Sequence, residues 1–280
     1  MAGRTRKIIS AVMAALMIMA AGGCGSSNKE IPSSADNSQY ISETKDNGNV
    51  TDGKEYDIDN GGLPYDEETV YNQLFDINNK VEIDVDISDD ELAKMQSDYN
   101  RYDNMGSKSP IYRKCDLKIS ITSDGVKNTY IIRNTGIRMK GNTSRTAFYD
   151  SNSGVYSLIH FKVDFTETFD DEQYYGGDSD YDLDIDKEKQ QNRTFATLDS
   201  MEIKWNQTSD STYVREYYTC EMFRDFGILA QRTNLASINL GDVHEGIFKI
   251  YEPVDKKFIK RYVAKEDCGG DLYKCGWTMS

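Results

Sequence analysis

Through the middle of the chain, apolar and polar residues alternate in short runs. Val81, Ile83, Val85 and Ile87 are separated by Glu82, Asp84 and Asp86, the period-2 spacing of a strand with one buried face. Ser88 then stands three residues before Glu91, a capping box that predicts a helix carrying Leu92 and Met95 inward. Cys115, Leu117, Ile119 and Ile121 alternate up to the turn signal Ser123-Asp124-Gly125, and Tyr130 and Ile132 continue on a returning strand. Further on, Ile137 and Met139 alternate with Arg138 and Lys140 until Gly141-Asn142 breaks the pattern, which puts both cations on one face. "HFKVDF" repeats the design, with Phe161, Val163 and Phe165 on one side and His160, Lys162 and Asp164 on the other.

The period then changes. Val214, Tyr218 and Met222 recur every four residues, joined by Tyr217 and Phe226, and Gly227 stands where a left-handed cap ends a helix. Ile238 and Leu240 lead through Gly241-Asp242 and Gly246 into a hairpin strand that stops at Pro253. Asp255 is placed to cap a last helix with Phe258, Ile259, Tyr262 and Val263 inward. Strands, a helix, then more antiparallel strands predict an α+β fold: an antiparallel sheet with packed helices.

The first 65 residues break with this patterning. Arg4, Arg6 and Lys7 precede an apolar run over residues 8–21, followed by Gly22-Gly23-Cys24. That is an export signal, too short to span a bilayer comfortably. Small residues directly before Cys24 resemble a bacterial lipobox, with Ala21 where leucine is usual, so Cys24 is the expected lipidation site; the alternative is an ordinary cleaved signal over residues 1–23. Residues 24–65, rich in Ser, Asn, Asp and Gly, read as a disordered tether. The expected location is the outer face of the cytoplasmic membrane, or the spore coat.

Charge narrows the partners. A formal charge of −14 opposes nucleic acid and anionic surfaces and leaves a cationic protein partner open. The acidic stretch at residues 170–191 lacks the Gly and Glu of a calcium loop, having Leu183 and Lys189 at those positions, and reads as a solvated loop. The two histidines, His160 and His244, have no zinc-site spacing, and no G-x-S-x-G is present. Cys115, Cys220, Cys268 and Cys275 are either disulfide partners in an exported chain or buried thiols.

"GIRMKGNTSR", "FKVDF", "VREYYTCEMFRDFGILAQRT" and "GIFKIYEPVDKKFIKRYV" followed by "GDLYK" occur in this order. Together they resemble the CotH kinase family, named for bacterial spore coat protein H, over roughly residues 81–274. The resemblance implies a divergent, two-lobed atypical protein kinase fold. Residues 66–265 would be its N-terminal lobe and hinge, and residues 266–280 the start of a C-terminal lobe that is otherwise missing. It further implies ATP- and Mg²⁺-dependent phosphorylation of basic, Ser-rich exported or coat proteins.

In that scheme Lys162 on a strand and Glu216 on the next helix form the phosphate-positioning pair, and the Glu252 backbone meets adenine. Arg138, Lys140, Gly141, Asn142 and Ser144 cover the phosphates. Asp164 stands where the family usually has a second lysine. Read without the resemblance, Lys162 and Glu216 are solvated surface charges and Glu252 a strand-end carboxylate. Catalytic and metal-binding aspartates would follow "GDLYK", where only "CGWTMS" remains, so an N-terminal fragment inactive alone is expected. The alternative is a non-catalytic surface binding or adhesion lipoprotein.

Overall fold

The structure is a computed structural model and describes residues 50–59, 65–141, 145–150, 155–205, 210, 212–241 and 244–273. The expectations for the signal segment, Cys24, most of the tether, Asn142, Ser144 and Cys275 lie outside those residues. The described residues form ten strands: β1 (Thr51–Asp57), β2 (Lys80–Asp86), β3 (Arg113–Ser123), β4 (Val126–Lys140), β5 (Tyr149–Asp150), β6 (Val155–Tyr156), β7 (His160–Asp164), β8 (Ser200–Trp205), β9 (Thr233–Leu240) and β10 (His244–Tyr251). Six helices accompany them: α1 (Glu67–Leu74), α2 (Asp89–Asp103), α3 (Glu172–Tyr175), α4 (Lys187–Gln191), α5 (Arg215–Asp225) and α6 (Lys256–Tyr262).

The strands do not form an open sheet. Seven of them run β4-β3-β2-β9-β10-β8-β7, and β7 pairs again with β4, closing a barrel. The barrel is mixed, because β2 pairs with β9 in parallel while its neighbours in the ring are antiparallel. This overturns the expected α+β sheet of a kinase N-terminal lobe with packed helices. Closure depends on β4, whose 15 residues serve two neighbourhoods: Val126–Ile131 pair with β1, and Gly136–Lys140 pair with β7. Between them Asn134 takes φ 49° and the β3–β4 register shifts, bending the strand around the barrel.

Each strand turns its apolar face into one interior. Ile83, Ile119, Ile137, Phe161, Ile203, Ile238 and Ile250, one from every strand of the ring, are all fully buried, each worth roughly 1.5–3 kcal/mol of transfer free energy. Asn234 shares their phase on β9, yet it is polar. Its Nδ2 donates to the carbonyls of Leu74 (2.8 Å) and Asp76 (3.0 Å), fixing the C-terminal end of α1 against the barrel. The carbonyls that a helix end leaves unpaired are thereby satisfied from inside the core.

Thr51–Asp57, inside the expected tether, is a strand paired in parallel with β4. The α5 stripe of Tyr218, Met222 and Phe226 does not enter the core, because α5 buries no residue. The cap at Ser88 does hold, its hydroxyl accepting from Glu91 N at 3.3 Å, and Asp255 likewise caps α6. Among the described residues no helix is long and apolar enough to cross a membrane.

Candidate functional site

The polar phase of four adjacent strands meets on the outer wall of the barrel. Arg138 on β4 faces Lys162 on β7, Lys162 faces Glu202 on β8, and Glu202 faces Tyr251 on β10. One step along the strands, Lys140 faces His160 and Lys204 faces Lys249. The alternation that fills the interior therefore lines up Arg138, Lys140, Lys162, Lys204 and Lys249 in a cationic band on an acidic protein.

Every cation in the band already has company. Arg138 donates from Nη1 to Ser109 O (3.1 Å) and lies 5.0 Å over the Tyr112 ring, while its buried Nε has no partner. Lys162 lies 3.2 Å from Asp164; burial opposes its charge, but Tyr112 and Asp164 outweigh burial and hold its pKa above the ordinary value. Lys140 pairs with Glu202, and here burial prevails and lowers its pKa. Lys204 sits 3.9 Å over the Tyr251 ring. Lys249 is only 7% exposed; its Nζ donates to Glu216 (3.1 Å) and lies 3.8 Å from Asp210. Asp210, kept ionised by the Thr212 hydroxyl and the Arg215 and Thr212 amides, anchors the start of α5.

The structure separates the expected Lys162–Glu216 pair. Lys162 stands on β7 with Asp164, whereas Glu216 on α5 receives Lys249 and the Tyr251 hydroxyl, both on β10. Glu252 lies elsewhere again. It is completely buried, paired with Arg261, and accepts from Tyr262 (3.3 Å) and the Arg232 amide (3.3 Å). Its own N–H is bonded to Arg232 O at 3.0 Å, so that amide is not open to a base. Gly141 ends β4 with φ 123°, a conformation that favours glycine. Arg138 and Lys140 share a face as the alternation predicted, and the β4–β7 pairing adds Lys162 to it. Lys204 and Lys249 were missed, although "MEIKW" and "IFKIY" alternate in the same way.

The acidic loop forms no open metal site. Asp90, Glu91 and Asp180 are the one group among the described residues whose ligand atoms converge. The Lys94 ammonium fills that position, bonded to Asp90 (2.8 Å), Glu91 (3.3 Å), Asp178 (2.9 Å) and Asp180 (2.9 Å). Asp171, Asp178 and Asp186 spend their carboxylates capping short helical turns. Cys115 is a buried thiol, its pKa raised by burial, and Cys220 and Cys268 are also free.

Chemically, the band offers ammonium and guanidinium groups that an anion such as phosphate could claim, at Lys140, Lys162 and Lys249 by displacing the carboxylates now holding them. Among curated proteins, none matches this chain. The pattern of one protein family, CotH, described as "CotH kinase protein", matches residues 137–279, which spans β4 from its barrel-closing half, all of β7 to β10, and therefore the whole band. Because that match covers more than half of the 280 residues, the chain belongs to the CotH kinase family.

Proposed function

We propose that the protein is an exported member of this family that grips the phosphates of ATP with the cationic band, in the service of phosphorylating basic, Ser-rich exported or coat proteins. The observation that carries this reading is Lys249, a buried strand lysine ion-paired with a helix glutamate, Glu216. Phosphoryl transfer relies on such a lysine at the phosphates and such a glutamate to orient it. Lys162, Arg138, Lys140 and Lys204 on the same wall would extend the grip along the phosphate chain. The charge of −14 favours a cationic protein substrate.

Mg²⁺, implied by the family, does not fit the described residues. Asp164, Glu202, Glu216 and Asp210 each hold a cation, and the converging acids at Asp90 hold Lys94. This same observation favours a second reading, a surface binding protein without catalysis.

The test is ATP binding by the full chain, followed calorimetrically, with Lys249→Ala and Lys162→Ala beside the parent, and transfer of labelled phosphate to a basic Ser-rich peptide. Losing one of several phosphate contacts should weaken binding by ~10-fold or more. Parent-like binding by Lys249→Ala would remove the basis of the proposal, and binding without transfer would select the second reading. Export and anchoring are proposed through Cys24, and labelled palmitate should be incorporated by the parent and not by Cys24→Ser.

A further inference from the structure

The acidic stretch at residues 170–191 has a dry side. Its Tyr175 and Tyr181 are buried with Ile111 and Phe169 in a cluster of their own, separate from the barrel interior. Two lysines tie this cluster down. Lys94 on α2 bonds Asp178 and Asp180 at 2.9 Å each, and Lys114 on β3 donates to Asp180 O at 2.9 Å.

From that anchored cluster one hydroxyl reaches toward the cationic band. Tyr175, at the end of α3, is buried, and its hydroxyl donates to Tyr112 O (3.0 Å) while accepting from Tyr112 N (3.3 Å). Tyr112 stands one residue before β3, outside the ladder, and this single hydroxyl satisfies both of its backbone groups. The Tyr112 ring then carries two cations of the band. The Arg138 guanidinium lies 5.0 Å and the Lys162 ammonium 5.8 Å from its centroid, both within cation–π range. Gly136 admits the ring to β4, since a Cβ there would come within 3.0 Å of Tyr112 Cβ.

Arg138 and Lys162 face each other across β4 and β7. Like charges directly opposite on a sheet repel, and without a holder the two heads would splay, one toward Ser109 O and the other toward Asp164. The electron-rich ring attracts both without bringing a negative charge of its own. Unlike Asp164, it need not be displaced when an anion arrives. We propose that the acidic stretch is a strut for the band: Tyr175 fixes Tyr112, and the Tyr112 ring keeps Arg138 and Lys162 together where one phosphate group meets both. The role in phosphate binding rests on the function proposed above; the placing of the two cations does not. Tyr112 and Tyr175 are positioning residues, acting through Arg138 and Lys162.

The test uses the full chain and two readouts. Protons over a tyrosine ring resonate upfield, so nuclear magnetic resonance should find the Arg138 δ-methylene and Lys162 ε-methylene shifted in the parent and in Tyr112→Phe, which keeps the ring. Both signals should move back toward ordinary positions in Tyr112→Leu and Tyr175→Phe. In calorimetry, Tyr112→Leu and Tyr175→Phe should weaken ATP binding by ~5-fold or more, and Tyr112→Phe by less than ~2-fold. Tyr181→Phe is the control for mere support: it strips a hydroxyl from the same cluster, one bonded to Glu91 and Arg113 instead of Tyr112. It should lower the thermal midpoint while leaving both signals and the ATP affinity of the folded protein parent-like. Unmoved signals in Tyr175→Phe, or Tyr181→Phe behaving like Tyr175→Phe, would overturn the strut, as would parent-like ATP binding by Tyr112→Leu. The expected signals in a parent that binds no ATP would sustain the strut and overturn the phosphate-binding function alone.

Discussion

Asn234 offers the sharpest check on how the barrel is put together. Its side chain is 1% exposed; Nδ2 serves the carbonyls of Leu74 and Asp76, and Oδ1 accepts from Leu235 N at 2.8 Å. Replacing it with alanine orphans the buried Leu74 carbonyl and the Leu235 N–H, while the Asp76 carbonyl keeps the Asn79 N–H at 3.0 Å. A buried polar group without a partner costs about 1–3 kcal/mol. Relief by water and a small cavity pull in opposite directions, so the expected loss for Asn234→Ala is about 4 kcal/mol. In a domain of this size that lowers Tm by roughly 8–16 °C. Urea unfolding should show a lower midpoint at unchanged slope, and hydrogen exchange should show the amides of α1 losing protection before those of the ring strands. Asn234→Asp, which turns the donor into an acceptor facing two carbonyls, should be worse at neutral pH. A loss below ~1 kcal/mol for Asn234→Ala, or equal loss of protection in helix and barrel, would refute the idea that Asn234 ties α1 to the core.

Arg193 donates to Phe165 O (2.7 Å), Asp59 (2.6 Å), Arg133 O (2.6 Å) and Asn134 O (3.1 Å), so Arg193→Ala should cost about 3–5 kcal/mol in thermal unfolding, and Arg193→Lys should not rescue it, since an ammonium has too few donors in the wrong geometry. Burial, followed by the charges of Asp164 and Asp170, raises the Glu167 pKa above its usual 4.5 against the opposing Phe169 amide. A carboxyl whose folded pKa is raised contributes stability below the unfolded value and loses it as pH rises through the folded value. Glu167→Gln should therefore be more stable than the parent at pH ~7, with the gain gone at pH ~4; equal stability at neutral pH counts against it. A Cβ on Gly136 would come within 2.9 Å of Glu167 Cβ and 3.0 Å of Tyr112 Cβ, so Gly136→Ala should cost about 1–3 kcal/mol by urea unfolding, and a neutral result would mean the β4 bend is more yielding than its contacts imply.

Period-2 alternation located β2, β3, β7 and both halves of β4, and it placed Arg138 with Lys140 on one face and Lys162 on the polar face of its own strand, because local spacing decides which side of a strand is dry. It could not reveal that all those dry sides share one interior. Closure rests on pairings between distant segments and on Asn134 in a left-handed conformation, which carries no periodic signal. The expected pairing of Lys162 with Glu216 follows the kinase order of strand lysine before helix glutamate, yet the lysine that reaches Glu216, Lys249, comes later in the chain and is brought there by the β9–β10 hairpin. Tyr218 and Phe226 have the spacing of a core-facing stripe and are exposed all the same, since amphipathic spacing says that a face will be covered and not by what.

The parallel seam between β2 and β9 has a consequence in time. Glu82 pairs with Ser237, 155 positions later (237 − 82). A chain that emerges N-terminus first can form the β3–β4 hairpin early, but its ring stays open until nearly all of it is available. Pairings this distant slow folding, because the loop must close before any contact rewards it. Until then the free edges of β2 and β9 are templates for other strands. Crowding during synthesis, rather than the depth of the final energy minimum, should thus decide how much of this protein reaches its closed form.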